Sequence, residues 1–416
     1  MRAALLARTL LPCALLLAAP AALARPADLP PDEKVAEALD NSPVVAAALA
    51  RVAAARAQAG MLGSGPHEVN IAGGYLRRTV DREGGFNEFD TTVSRAFRLP
   101  GKAALDREAG ALGVEVAINR MEDARHQAAL TLGGLWYDWL AAGSHYRNDV
   151  ETVRWLEQAL GAVRRRLELR DAAVLDLDQA QASLAQALAQ ASASLARREQ
   201  ARVTLAATFP ELPLPVEPME PATPALPQTG LAAMRDLVVE RSHEIRAAEK
   251  EAARLDVAAR RVRAERMPDP SFGVRLFSER GGAETGIGVV MSVPLGGGYR
   301  RAAAEGAAAE ASAARMELAA VERSVEAIAN ADLSNARTRF DAWGNAELSM
   351  RSTDEAARKM EHGYQLGETD LAELLYARRL ANDARRMEIE ARSEANRALL
   401  KLEIDSHVIW ASDHHE

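Results

Sequence analysis

The chain has 416 residues, a formal net charge of −8, 4% aromatic residues and a hydrophobic fraction of 48% carried mostly by alanine. No basic footprint for nucleic acid is present, and the only cysteine, Cys13, sits in an N-terminal leader. Disulfides, thiolate metal sites and a cysteine nucleophile are therefore excluded from the mature chain.

Arg2 and Arg8 precede an uncharged apolar run over residues 10–23, and Ala22-Leu23-Ala24 forms a small-x-small cleavage site. Residues 1–24 read as a cleaved export signal. The run is too short to span a bilayer, which needs about 20 residues. Pro12 before Cys13 argues against a lipoprotein signal, and cleavage takes the charge to about −10. No later segment holds 18 uninterrupted apolar residues, so membrane insertion must use β-strands.

The first repeat covers residues 25–209. Ser42-Pro43 starts a helix through Ala-rich text, with Ser as N-cap and Pro at the first helical position. Gly63-Ser64-Gly65-Pro66 stops it. Residues 68–97 then change to period two: Val69, Ile71 and Tyr75 alternate with Asn70, Ala72 and Gly74. Gly84-Gly85 is expected to turn the chain, and Phe89, Thr91 and Val93 bring it back as a β-hairpin. Leu99-Pro100-Gly101-Lys102 launches a proline-free helix over 101–169, about 100 Å long at 1.5 Å per residue. A return helix follows over 174–209.

Residues 210–230 form a linker, with seven of the eighteen prolines between 210 and 227. The second repeat, 231–410, has the same order: Ser242 as N-cap, a helix over 245–266, Met267-Pro268-Asp269-Pro270, and a β-hairpin over 271–293 turning at Gly281-Gly282. A long helix over 298–366 and a return helix from 371 complete it. Residues 411–416 are a flexible tail. A shift of 197 positions carries Gly101 to Gly298 and Leu169 to Leu366 without insertion. It also aligns the seams Leu177, Ala180, Leu184, Ala187 and Leu374, Ala377, Ala381, Ala384, whose 3–4 spacing pairs helices as coiled coils.

Trp136, Tyr137, Trp139 and Tyr146 read as helical core rather than a ligand cage. His407, His414 and His415 read as part of a terminus rather than a metal site. No nucleophile–base spacing, phosphate loop or paired catalytic carboxylate stands out. The sequence gives no ground for an enzyme, a cofactor or a bound metal.

The fold class is thus mainly α with a β-barrel part. One chain supplies four strands, and a four-stranded sheet has two open edges that lipid cannot satisfy. Three chains would supply twelve, enough for a closed barrel with a lumen. The alternation assigns Val69, Ile71, Tyr75, Phe272, Val274, Leu276, Ile287, Val289 and Met291 to lipid. It assigns Asn70, Gly74, Gly273, Arg275, Gly288 and Ser292 to the lumen.

The doubled order of Ser42-Pro43, residues 97–102 (Phe-Arg-Leu-Pro-Gly-Lys), residues 267–272, residues 292–295 (Ser-Val-Pro-Leu) and Tyr364-Gln365-Leu366-Gly367 resembles the TolC-type outer-membrane efflux family. The Phe-x-Leu-Pro-Gly-Lys segment is most similar to its heavy-metal (cobalt–zinc–cadmium type) branch. The resemblance implies a homotrimer in outer-membrane lipid, with a 12-stranded barrel and a periplasmic 12-helix tunnel. It also implies a periplasmic adaptor and an inner-membrane pump, proton-driven in this branch. The adaptor would dock at the hairpin tips: Leu169, Asp171 and Ala172 in the first repeat, Leu366, Gly367 and Glu368 in the second. The family usually has Gly in the first turn, where Asp171 is here the residue expected to accept a left-handed backbone. Of two acidic constriction positions beyond the second tip, one holds Glu373 and the other Tyr376, while Asp176 matches an acidic residue of the first repeat. Arg166 and Arg170 are candidate partners of Glu373. The expected function is a passive duct for small solutes, divalent heavy-metal cations among them. The alternatives are an exit duct for type I polypeptide secretion and a soluble periplasmic coiled-coil scaffold.

Overall fold

The computed structural model describes residues 28–411. The leader with Cys13, and His414 and His415 in the tail, lie outside the described residues. The element order is α1 (Asp32–Asp40), α2 (Pro43–Ser64), β1 (Val69–Val80), β2 (Gly84–Ala96), α3 (Lys102–Glu168), α4 (Val174–Thr208), α5 (Leu231–Arg241), α6 (His243–Ala264), β3 (Ser271–Glu279), β4 (Glu284–Ser292), α7 (Gly298–Leu366) and α8 (Leu371–Asp405).

The two long helices, 67 and 69 residues, run uninterrupted because neither contains a proline. Near the sheet, α2, α3, α6 and α7 lie side by side in that order. Towards the far end, α4 takes the place of α2 and α8 that of α6. Both coiled-coil pairs close on their seams, with Ala180, Leu374, Ala381 and Ala384 buried. Small residues let helices approach: a Cβ on Gly110 of α3 would stand 3.0 Å from the Ala59 Cα of α2. Helix α2 is long and apolar enough to cross a membrane by length and composition. That apolarity comes from alanine, Arg51 and Arg56 interrupt it, and the helix packs along α3.

The main core sits midway along α3. Trp136 and Trp139 pack edge to face at 5.2 Å, beside Tyr137, Leu132, Leu140, Leu205, Phe209 and Leu400. Tyr146 stands apart from it, under the Arg198 guanidinium at 4.6 Å. Two helices were not expected. Helix α1 adds Val35 and Leu39 to this core, and α5 sets Met234 and Val238 against Ala329, Ala336 and Leu402. At 9 and 11 residues they are too short for a 3.6-residue period to stand out.

The proline-rich linker is a packed strap. Leu212 is buried, Arg147 donates to the Pro218 carbonyl at 2.5 Å, and Asn396 donates to the Ala222 carbonyl at 2.7 Å. The Ala222 N–H in turn donates to Asp28 Oδ2 at 2.8 Å. Two local expectations are corrected. Gly84 and Gly85 belong to β2, and the turn is Asp81–Arg82–Glu83 with Arg82 at φ 66°. Ser242 caps α6 through its hydroxyl, 3.2 Å from the Ile245 N–H, but Ser42 makes no such side-chain bond at the start of α2.

Candidate functional site

The strands form one antiparallel sheet in the order β1-β2-β3-β4, so β1 and β4 are bare edges. Paired residues share a face. One row runs Ile71, Val93, Val274, Val289 and the next runs Gly73, Thr91, Leu276, Ile287. All nine residues assigned to lipid fall on this face. Ile71, Ile287 and Val289 are 69%, 74% and 82% exposed in the single chain, an apolar area that water would not leave uncovered. The opposite face holds all six residues assigned to the lumen. There Arg78 pairs with Glu88 at 2.5 Å and Arg275 with Asp90 at 3.4 Å. Glycines on this face make room for larger neighbours: the Phe277 ring covers Gly286, and the Asp90 carboxylate covers Gly74.

Where the sheet meets the helices, the two repeats are tied by a buried ionic knot. Lys102, at the start of α3 and 2% exposed, donates to Asp269 Oδ1 at 2.8 Å and to the Met267 carbonyl at 2.7 Å. Asp269 also accepts the Leu99 N–H at 2.9 Å and faces His67 Nε2 at 2.8 Å. Burial pushes the Asp269 carboxyl up, but the bonds from Lys102, His67 and Leu99 outweigh it and hold it down to about 2. Beside it, Arg98 donates to the Leu62 and Gly63 carbonyls and to Asp106, which also accepts from Arg261. The motifs at 97–102 and 267–272 therefore meet in space. No single sequence signal foretold that meeting.

At the far end, the pairs α3–α4 and α7–α8 meet through an apolar cluster of Leu160, Val163, Ala180 and Leu371 at the tips and through polar groups beyond it. Asn148 and Thr152 bond Asn382 at 2.7 and 3.0 Å. Arg386 holds Asp149 at 2.5 and 2.7 Å, and Trp155 donates to Glu361 at 3.0 Å while Arg378 pairs with the same carboxylate. A cleft of about 670 Å³, with α3 as floor and α4 and α8 as walls, opens beside them and is lined by Gln186, Tyr376 and Arg379.

The tip residues divide. Arg166 reaches the other hairpin, donating to the Tyr364 hydroxyl at 2.9 Å and to Asp171 Oδ2 at 3.0 Å. In the first turn the left-handed residue is Arg170, φ 62°, and not Asp171. The reason is the hydrogen-bond frame: Asp171 N–H returns to the Arg166 carbonyl at 2.8 Å and Arg170 N–H to Leu167 at 2.9 Å. Gly367, φ 77°, sits in the same frame of the second turn. Arg170 is exposed and makes no side-chain bond among the described residues. Asp176 Oδ2 accepts the Ala173 N–H at 3.0 Å, and Asp370 caps Glu373 N–H at 2.8 Å. Glu373 and Tyr376 are exposed, and the structure brings neither to Arg166 or Arg170. Leu169 and Leu366 stand 79% and 61% exposed at the two tips, with Ala172, Gly367 and Glu368 beside them.

No protein-family model and no curated protein matches the sequence. Solved structures do match the fold. CusC, whose structures concern folding and transmembrane channel formation, superposes at TM-score 0.75 with 17% identity, covering 90% of this chain and 91% of that one. The Campylobacter jejuni outer membrane channel CmeC gives 0.74 with 15% identity over 92% and 86%. The outer-membrane channel OprN gives 0.73 with 19% identity over 92% and 90%. The chain has the fold of these channels over nearly its whole length.

Proposed function

We propose that this chain is one third of an outer-membrane efflux duct, a passive conduit through which an inner-membrane pump, coupled by a periplasmic adaptor, expels small solutes. The reading rests on one observation: a four-stranded sheet with an apolar face and two bare edges, carried on helices some 100 Å long. Joining β4 of one copy to β1 of the next satisfies every edge, and twelve strands turn the apolar face to lipid and the Arg275–Asp90 face to a lumen. The same operation sets α7 against α2 and α4 of the neighbour, whose outer sides carry exposed Val44, Leu49, Leu188 and Val203.

The tips are the docking level in this reading. Exposed Leu169 and Leu366, held by two equivalent turns, offer an apolar partner surface that matched helix lengths keep at one height. The uncommitted carboxylate of Glu373, three copies around one axis, suits cationic cargo and would favour cations at the constriction. Divalent heavy-metal cations belong to that class. The reading involves no catalytic step.

The test combines mass and current. Detergent-extracted protein should run as a trimer, and in planar bilayers under a salt gradient it should conduct with cation preference that Glu373→Gln lowers. A monodisperse monomer with full β content would overturn the architecture. An unchanged reversal potential in the variant would place the selectivity elsewhere.

A further inference from the structure

Where α6 begins and α8 has just ended, beside α3 and far from the tips, three imidazoles meet. His243 of α6 stacks on His407 at 4.7 Å and 27°, and His126 of α3 meets His407 edge-on at 5.2 Å. His126 Nε2 lies 3.0 Å from Asp405 Oδ1. The rings border a cavity of about 400 Å³. Nearly parallel imidazoles send their nitrogen lone pairs out in parallel, so the stack does not converge on a metal. Among the described residues no group of three or more His, Asp or Glu could hold one.

His407 opens the segment that follows α8, and that segment is strained and pinned. His407 and Trp410 both take left-handed backbones, φ 53° and 57°, which side-chain-bearing residues adopt only when neighbours enforce it. Arg241 of α5 donates to the carbonyls of Ser406 and His407 at 3.1 and 3.3 Å. Arg125 of α3 donates to the Trp410 carbonyl at 2.7 Å and is itself paired with Asp40 at 2.9 Å. The segment thereby straps the end of α8 to α3, α5 and α6.

We propose that residues 406–411 form an acid-released latch, docked while the imidazole stack is uncharged and freed when adjacent rings of the stack are protonated together. Facing imidazolium rings repel, and Arg125, Arg241 and Lys401 already bring positive charge to the site. The opposing carboxylates are Glu122 and Asp123 on α3, Glu244 on α6, Asp332 on α7 and Asp405 on α8. One of them, Asp332, gives up its charge within the histidine range. Burial, helped by Asp405, pushes Asp332 up to about 6 against Lys401. Burial, then the charge of Asp123, raises Glu244. Asp405 stays ionised, because His126 and Lys401 outweigh its burial and hold it down to about 2, but it is shared between those two partners. Repulsion between the stacked rings sets the sign: docking is complete at neutral pH and is lost as pH falls through the histidine range. It acts against the opposite contribution of the raised carboxylates Asp332 and Glu244, which hold their protons better docked than released.

Amide hydrogen exchange on the full-length protein in detergent tests this, with rates corrected for the intrinsic effect of pH. Between about pH 7.5 and 5.0, protection of the His407 and Val408 amides should fall by about tenfold or more, while amides of the buried α3 core stay unchanged. His243→Phe and His407→Phe keep a stacked ring without a titrating charge, so their protection should not depend on pH over that range. Equal protection of wild type at both values overturns the proposal, as does the same acid loss in the Phe variants. A wild-type transition centred below about pH 4.5 would also overturn it, since carboxylates rather than imidazoles titrate there.

Discussion

Asp269→Asn isolates the knot that joins the two repeats. In the native state Asp269 is 6% exposed and receives Lys102, the Leu99 N–H and His67, so its carboxyl is held from the usual 3.8 down to about 2. A depression of roughly two units is worth about 2–3 kcal/mol at neutral pH. The folded pKa is the lower one, so this stabilisation is complete above the unfolded value and is lost as pH falls through the folded value. Asparagine keeps the shape but removes the charge, leaving Lys102 buried with Glu265 at 3.2 Å as its remaining carboxylate. Taking one partner from a buried pair costs about 3–5 kcal/mol when the other charge is uncompensated, and Glu265 brings the figure towards the lower end. Spread over the unfolding entropy of a chain this long, a loss of about 3 kcal/mol lowers Tm by roughly 4 °C. Differential scanning calorimetry of purified variant and wild type at about pH 8, where the carboxylate is fully ionised, is the assay. A variant melting within about 1 °C of wild type would show that the knot adds nothing beyond packing.

Two further substitutions test backbone geometry. Arg170→Gly relieves a left-handed side-chain-bearing residue that makes no side-chain bond, so it should stabilise the first tip by about 1 kcal/mol, read as slower exchange of the Arg170 and Asp171 amides; unchanged exchange would mean the turn carries no strain. Gly286→Val places a Cβ 2.3 Å from Phe277 Cζ, whereas Gly288→Val meets open space, so the first should cut the yield of SDS-resistant oligomer and the second should not; equal yields would refute the sheet register.

Much of the fold was legible because the architecture restricts the text. Two hairpins that must end level tolerate no insertion, so the 197-residue shift survives along both long helices, and a sheet wet on one side and greasy on the other writes itself as Val69-Asn70-Ile71. The knot left no such trace. Lys102 and Asp269 are 167 positions apart, and one lysine and one aspartate have no period. Their pairing is decided only when α3 and the segment before β3 are brought together by the sheet. Helices α1 and α5 were hidden for a related reason, since their few apolar residues matter only against a core supplied by α3 and α7. The first tip is instructive in another way. The shift that aligns the long helices carries Arg170 onto Gly367, and both occupy the left-handed position of the same hydrogen-bonded turn. Reading that turn by residue preference favoured Asp171, because aspartate tolerates the conformation better than arginine. Reading it by position favours Arg170. In a duplicated chain the backbone frame is inherited with the repeat, so register outranks local propensity wherever the two disagree, and a mismatch such as Arg at a glycine position marks where strain is stored.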